Sequence, residues 1–358
     1  MLLLSSVFIC ALLLFNSANA QAEQLNIDLG KNIFTYHLIF KPSDIISPED
    51  DSNVKGVYSP FVVKTNNNTF VMFMGISVYC QNGSVARDSI GYAVSPDGVN
   101  NWKFKGYLIE PDQRACTVPL NQWPEGLLYQ VNDPTVVFQD NNFYISYTAV
   151  KHNSPFPGKE CGLIGTAIFD SNFKIVYRND NYLTPGLNNC NANKNDSGFS
   201  RPTYRQLAKK TYELWFDKVG KIFRIPVSNV NQLDERLIQP VGIEGALDID
   251  VFNVDNHNKV LLSSFGEGVG YNLSDDQNVW DGWKPLTNTS SQFNRWDVNG
   301  QGSPQFFVDL ENCASQIYLA GIVKDGNGIG YKEINLGVAV LREGDISRRI
   351  CELRKSWQ

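Results

Sequence analysis

Two residues that stand directly before prolines, Asp133 and Arg201, are the first sign of chemistry in this chain of 358 residues. Asp133 lies in Val131-Asn132-Asp133-Pro134-Thr135, and Arg201 lies in Ser200-Arg201-Pro202-Thr203. A carboxylate can move protons, and a guanidinium fork suits a carboxylate or sulfate. Ser59 and Ser303 hold the same place before Pro60 and Pro304. Further acid stands at Asp248 and Asp250, which alternate with Leu247, Ile249 and Val251 and give one strand an acidic face. Such residues act together only where the fold brings them to one place.

A weak repeat supplies that place. A short extended run recurs at Ser59, Asp133, Arg201, Asp250 and Ser303, with intervals of 74, 68, 49 and 53 residues. Roughly ten residues after each comes a stronger strand, such as Phe143-Tyr144-Ile145-Ser146-Tyr147 or Tyr212-Glu213-Leu214-Trp215-Phe216. A third piece usually carries glycine, as in Ile90-Gly91-Tyr92 and Ile329-Gly330-Tyr331. A period of roughly 50–70 residues with three or four strands per unit is the mark of propeller blades. The sequence therefore predicts an all-β chain with a single five-bladed β-propeller over residues 51–345. Residues 21–50 would lead into it, and residues 346–358 would form a solvated tail. The start of each innermost strand would face an axial pocket, so Asp133 and Arg201 would share one cavity.

The first 20 residues read as a secretory signal peptide: an apolar core from Leu2 to Phe15, then Ala18-Asn19-Ala20 as the cleavage site. A secreted or periplasmic protein is expected, with no membrane attachment after cleavage. Cleavage removes Cys10 and leaves Cys80, Cys116, Cys161, Cys190, Cys313 and Cys351. An even count in an exported chain favours disulfides. Pairing in chain order keeps each bridge near one blade. The net charge of −6 argues against nucleic acid, which needs a basic stripe. With three histidines and no Cys-x-x-Cys, neither a metal site nor a cofactor is expected. The expected state is a monomer.

The Asp-Pro run at Asp133 resembles a blade start of the five-bladed propeller glycosidases, such as glycoside hydrolase families 43 and 32. The segment Ser95-Pro96-Asp97-Gly98-Val99-Asn100-Asn101-Trp102 is similar to their Ser-x-Asp-Gly-x-x-Trp turn. The resemblance implies hydrolysis of glycosidic bonds by two carboxylates across a sugar, one a base or nucleophile and one a protonated acid. Ile243-Glu244-Gly245 resembles the run that carries the family's general acid, which makes Asp133 and Glu244 the catalytic candidates. The chain departs from the family pattern in having Ser59 and Arg201 where carboxylates are expected. Arg201 could then clamp an anionic sugar, with Tyr58, Ser59, Trp123, Asp248, Asp250 and Trp296 as further substrate holders. Tyr58, Trp123 and Trp296 precede strand starts, where flat rings would suit the apolar face of a sugar. A non-catalytic propeller that binds glycans or a protein partner is the alternative. Carboxylates counted inside the cavity separate the two.

Overall fold

The computed structural model describes residues 34–45, 53–80, 86–152, 160–184, 198–218, 220–227, 233–255, 258–265, 268–275, 279–286, 301–324, 331–341 and 345–356. The expected signal peptide of residues 1–20, Cys190 and Trp296 lie outside them. Runs such as Phe70-Val71-Met72-Phe73-Met74 are apolar on both faces, and all five side chains are buried. A strand of that kind has to be sandwiched between layers, and the chain supplies the layers as antiparallel sheets.

Strands β2 (Asn53–Lys64), β3 (Phe70–Tyr79), β4 (Ala86–Ser95) and β5 (Lys103–Ile109) pair in order. So do β6 (Leu128–Gln139), β7 (Asn142–His152), β8 (Glu160–Asp170) and β9 (Ile175–Leu183). A third sheet holds β10 (Ser200–Ala208), β11 (Thr211–Lys218), β12 (Lys221–Val227) and β13 (Gln239–Glu244). A fourth holds β14 (Leu247–Asn253), β15 (Lys259–Phe265), β16 (Gly268–Ser274) and β17 (Lys284–Pro285). The last run is β18 (Gln301–Asp309), β19 (Ala314–Lys324) and β20 (Tyr331–Leu341).

The N-terminal strand β1 (Phe34–Phe40) completes this last run, pairing with β20 from Phe34↔Leu341 to Phe40↔Leu336. The sequence reading leaves residues 34–40 in a lead segment; their pairing places them inside the sheet instead. Among the described residues a single parallel bridge, Gly56↔Ile334, joins β20 to β2, so that two runs count as one sheet of eight strands.

Apolar clusters lock each sheet to the next, each fully buried large side chain contributing ~1.5–3 kcal/mol. Phe73 meets Phe143 and Tyr147; Val137 and Ile164 meet Leu214 and Phe216; Trp215 meets Val251 and Leu261. Leu262 and Tyr271 meet Ile317 and Leu319, while Met72 and Met74 meet Tyr318 and Val338. The Ser95–Trp102 turn adds a polar tie: the Gly98 carbonyl accepts from Tyr318 Oη at 2.6 Å.

The C-terminal segment departs from the solvated tail that the sequence suggests. Residues Asp345–Ser356 form a helix whose Ile350 and Cys351 are fully buried in the cluster under β19. Cys351 is bonded to Cys313, and Cys80 to Cys116, both as chain order predicts. Cys161 is disulfide-bonded too.

Candidate active site

Five innermost strands carry the same backbone irregularity. Ser59, Asp133, Arg201, Asp248 and Ser303 all adopt positive φ, between 45° and 52°. At each of them the pairing register slips, between Tyr58 and Phe61, Asn132 and Thr135, Ser200 and Thr203, Leu247 and Asp250, and Gly302 and Gln305. A bulge re-aims a side chain that would otherwise follow the pleat, and a left-handed non-glycine residue is strained. Here the bulges send five side chains into one central cavity. The fourth member is Asp248, two residues before the Asp250 expected from the repeat. Ile249 stands where the other four have proline, so the marker that reveals the bulge elsewhere is missing.

The cavity is a well of ≈ 30 Å³ lined by these residues, their successors, Phe61, Thr203, Asp250 and Gln305. Asp133 accepts from Ser59 Oγ at 2.6 Å and from Thr148 Oγ1 at 3.2 Å. Asp133 is partly buried. That burial pushes its pKa up to about 6; Arg201 pulls it down and Asp248 pushes it up further.

Arg201 Nε lies 2.6 Å from Asp248 Oδ1, and its Nη1 lies 3.5 Å from Asp217 Oδ2. Ser264 Oγ donates to Asp248 Oδ2 at 2.9 Å, and Ser200 Oγ to Asp217 Oδ1 at 2.7 Å. Asp217 is almost wholly buried, which raises its pKa against the pull of Arg201. The guanidinium thus bridges a lining carboxylate and a deeper one.

Tyr58 is partly buried beside the cavity and not out on its rim. Its phenol is held well above its ordinary pKa by burial, then by Asp88 and Asp133. A Cβ on Gly75 would come within 2.9 Å of the Tyr58 ring, so glycine is what lets the ring lie across β3. Asn132 Nδ2 donates to Asp88 Oδ2 at 3.2 Å, extending this polar patch from β6 to β4.

Two candidates are not brought to the cavity. Glu244 ends β13, the outermost strand of the third sheet, where it is exposed and pairs with Lys221 at 3.5 Å. The Ile-Glu-Gly run therefore closes one sheet instead of opening the next. Trp123 is buried against Tyr129 and His152, its Nε1 donating to the Val118 carbonyl. Asp250 borders the floor of the cavity, but its oxygens are taken by Thr203 Oγ1 at 3.0 Å and Phe306 N at 2.7 Å. The sequence reading missed Asp217, Thr148 and Asp88. Of these, Asp217 was within reach, because Ser200 and Asp217 face each other across β10 and β11.

No protein-family model and no curated protein matches this sequence. Solved structures do match. A thermostable family-43 glycoside hydrolase overlays with a TM-score of 0.55 at 14% identity, covering 81% of this chain and 91% of that one. The fold is that of the propeller glycosidases. A family 117 glycoside hydrolase of the marine bacterium Zobellia galactanivorans gives a TM-score of 0.57 at 12% identity, over 88% of this chain and 91% of its own. A β-1,2-mannobiose phosphorylase from Listeria innocua gives 0.55 at 12% identity, over 87% and 96%. At such identity the likeness speaks for the propeller-glycosidase architecture, and the chemistry has to be argued from this chain's own side chains.

Proposed function

We propose that this chain is a secreted glycosidase built as one five-bladed propeller, with Asp133 as its proton donor. The blade count treats the eight-stranded sheet as two blades, one closed by β1, because a single bridge links its halves. The observation that carries the function is the convergence of Asp133, Arg201 and Asp248 on one well through equivalent bulges.

An acid in glycoside cleavage must hold a proton near working pH and face the leaving oxygen. Asp133, raised to about 6 by burial, meets the first condition. The sequence casts it as base or pKa-setting carboxylate; its environment favours the acid. Asp248 supplies the second carboxylate, anchored by Arg201 and Ser264. It would stabilise positive charge at the sugar carbon or direct a water. A well of ≈ 30 Å³ admits about one water molecule, so the sugar ring would lie over its mouth with only the reacting group inside. Arg201, one-third exposed, can meet a uronate or sulfated unit there. Disulfides at Cys80–Cys116 and Cys313–Cys351 support an oxidising compartment. A monomer with carbohydrate as its partner is the simplest assembly.

The non-catalytic reading draws on Ser59 and Ser303, which put hydroxyls at two of the five positions that face the well. A panel of aryl-glycosides and polysaccharides tests both. Cleavage by the wild-type chain that is lost in Asp133→Asn supports the enzyme. Binding on a glycan array without cleavage of any member supports the binder and overturns the enzyme.

A further inference from the structure

Beyond the bulges, the same strands line a second cavity. It measures ≈ 210 Å³ and is lined by residues 61–64 of β2, 136–138 of β6, 250–252 of β14 and 305–307 of β18. The C-terminal helix reaches this cavity and contributes one side chain, Arg354. Its position is well fixed: Ile350 and Cys351 are buried, Leu353 is nearly so, and the Cys313–Cys351 disulfide fastens the helix to the start of β19.

Arg354 is a cation with work left undone. Among the described residues it makes no hydrogen bond and no ion pair, although it is partly buried. The other cation of the cavity, Lys64, is already paired with Asp309 at 3.0 Å and Glu311 at 2.7 Å. The opposite charge that acts on Arg354 is Asp250, whose oxygens serve Thr203 and Phe306. Asp250 acts on Arg354 through space, while burial lowers the pKa of the guanidinium. A guanidinium whose donors no described protein group takes is open to an acceptor from outside.

We propose that this far cavity is a binding site for a small organic carboxylate, held by the Arg354 guanidinium. A forked guanidinium takes a carboxylate through two parallel hydrogen bonds. Tyr204, Tyr212, Phe252 and Phe306 line the same space and offer an apolar bed for a flat organic body. The carboxylate of Asp250 stands against a doubly charged ion such as phosphate, because a second negative charge meets more repulsion there. The cavity shares Phe61, Asp250 and Gln305 with the Asp133 well but takes in neither Asp133, Arg201 nor Asp248, so the proposal stands or falls independently of the glycosidase reading.

Thermal unfolding at pH 7.5 and constant ionic strength tests it, with benzoate, acetate, phosphate and chloride as the added anions. Benzoate should raise the midpoint saturably, acetate less so, and phosphate no more than chloride. Arg354→Gln should weaken the apparent affinity for benzoate about tenfold or more, the loss expected on removing a charged hydrogen-bonding partner. Since that variant loosens a helix in the core, a second measurement uses the unaltered protein. Phenylglyoxal modification of Arg354, mapped by mass spectrometry, should be slowed by benzoate and not by chloride. Equal responses to benzoate and chloride, a stronger response to phosphate, or unprotected Arg354 would each overturn the proposal.

Discussion

Asp133 and Asp250 are both carboxyls on innermost strands, and burial raises both to about 6. They differ in what they face. Asp133 sits on a bulge, takes its hydrogen bonds from two hydroxyls and borders the open well. Asp250 sits past the bulge and ties Thr203 of the third sheet to the Phe306 backbone of the last. A shifted pKa therefore does not mark a catalytic group by itself. The backbone decides, by turning one carboxyl toward solvent space and the other into a joint between sheets.

The largest expected effect separates the two at once. Asp133→Asn should cut turnover on a cleaved glycoside by ~10²–10⁴-fold, the usual worth of a positioned acid, with the far-ultraviolet spectrum unchanged. Full activity in that variant would remove the distinction. Arg201→Gln comes next, because it strands the buried Asp217 carboxylate beside Asp248. Urea unfolding should show a loss of roughly 3 kcal/mol, near the lower bound for breaking a buried pair.

Asp250→Ala should lose about 1–3 kcal/mol of stability through the orphaned Thr203 and Phe306 donors, with Asp133, Arg201 and Asp248 unaltered. Titration sharpens the contrast. Both carboxyls have folded pKa values above the ordinary 3.8, so the native chain binds more protons than the unfolded chain between about pH 4 and 6. Stability should fall as pH rises through that window. In Asp133→Asn the fall should be shallower, leaving the inactive variant more stable than wild type at pH 7, which denaturant midpoints at pH 4 and 7 would reveal. The smallest effect is reserved for Glu244→Gln. Its exposed pair with Lys221 predicts a change within ~0.5 kcal/mol and undiminished turnover. A severe loss of rate would restore Glu244 as the acid.

Much of the order of the sheets is legible in the sequence because proline punctuates it. Four of the five bulged residues precede proline, and the sheets fall where those markers place them. The fourth bulge was misread by two residues because Ile249 carries no such mark, and a positive φ at Asp248 has no composition of its own. Glu244 was assigned one strand too late for a related reason: local pattern shows that a strand exists, and only pairing shows which sheet owns it. β1 escaped notice because its partner lies at the other end of the chain. The same holds for Arg354: its basic neighbours Arg348, Arg349 and Lys355 are exposed as the sequence suggests, and Arg354 alone turns into the far cavity.

The pairing of β1 with β20 has a bearing on how the molecule is made. Phe34 leaves the ribosome 307 residues ahead of Leu341, its partner in the sheet. At ≈ 5–20 residues per second, that is roughly 15–60 s in which β1 has no neighbour to complete. Its exposed backbone is open throughout to whatever other strand is nearby. The last sheet is finished only when both ends of the polypeptide meet. Truncation that removes β1 or β20 should then be felt as failed closure and aggregation during synthesis, well before it is felt at the Asp133 well.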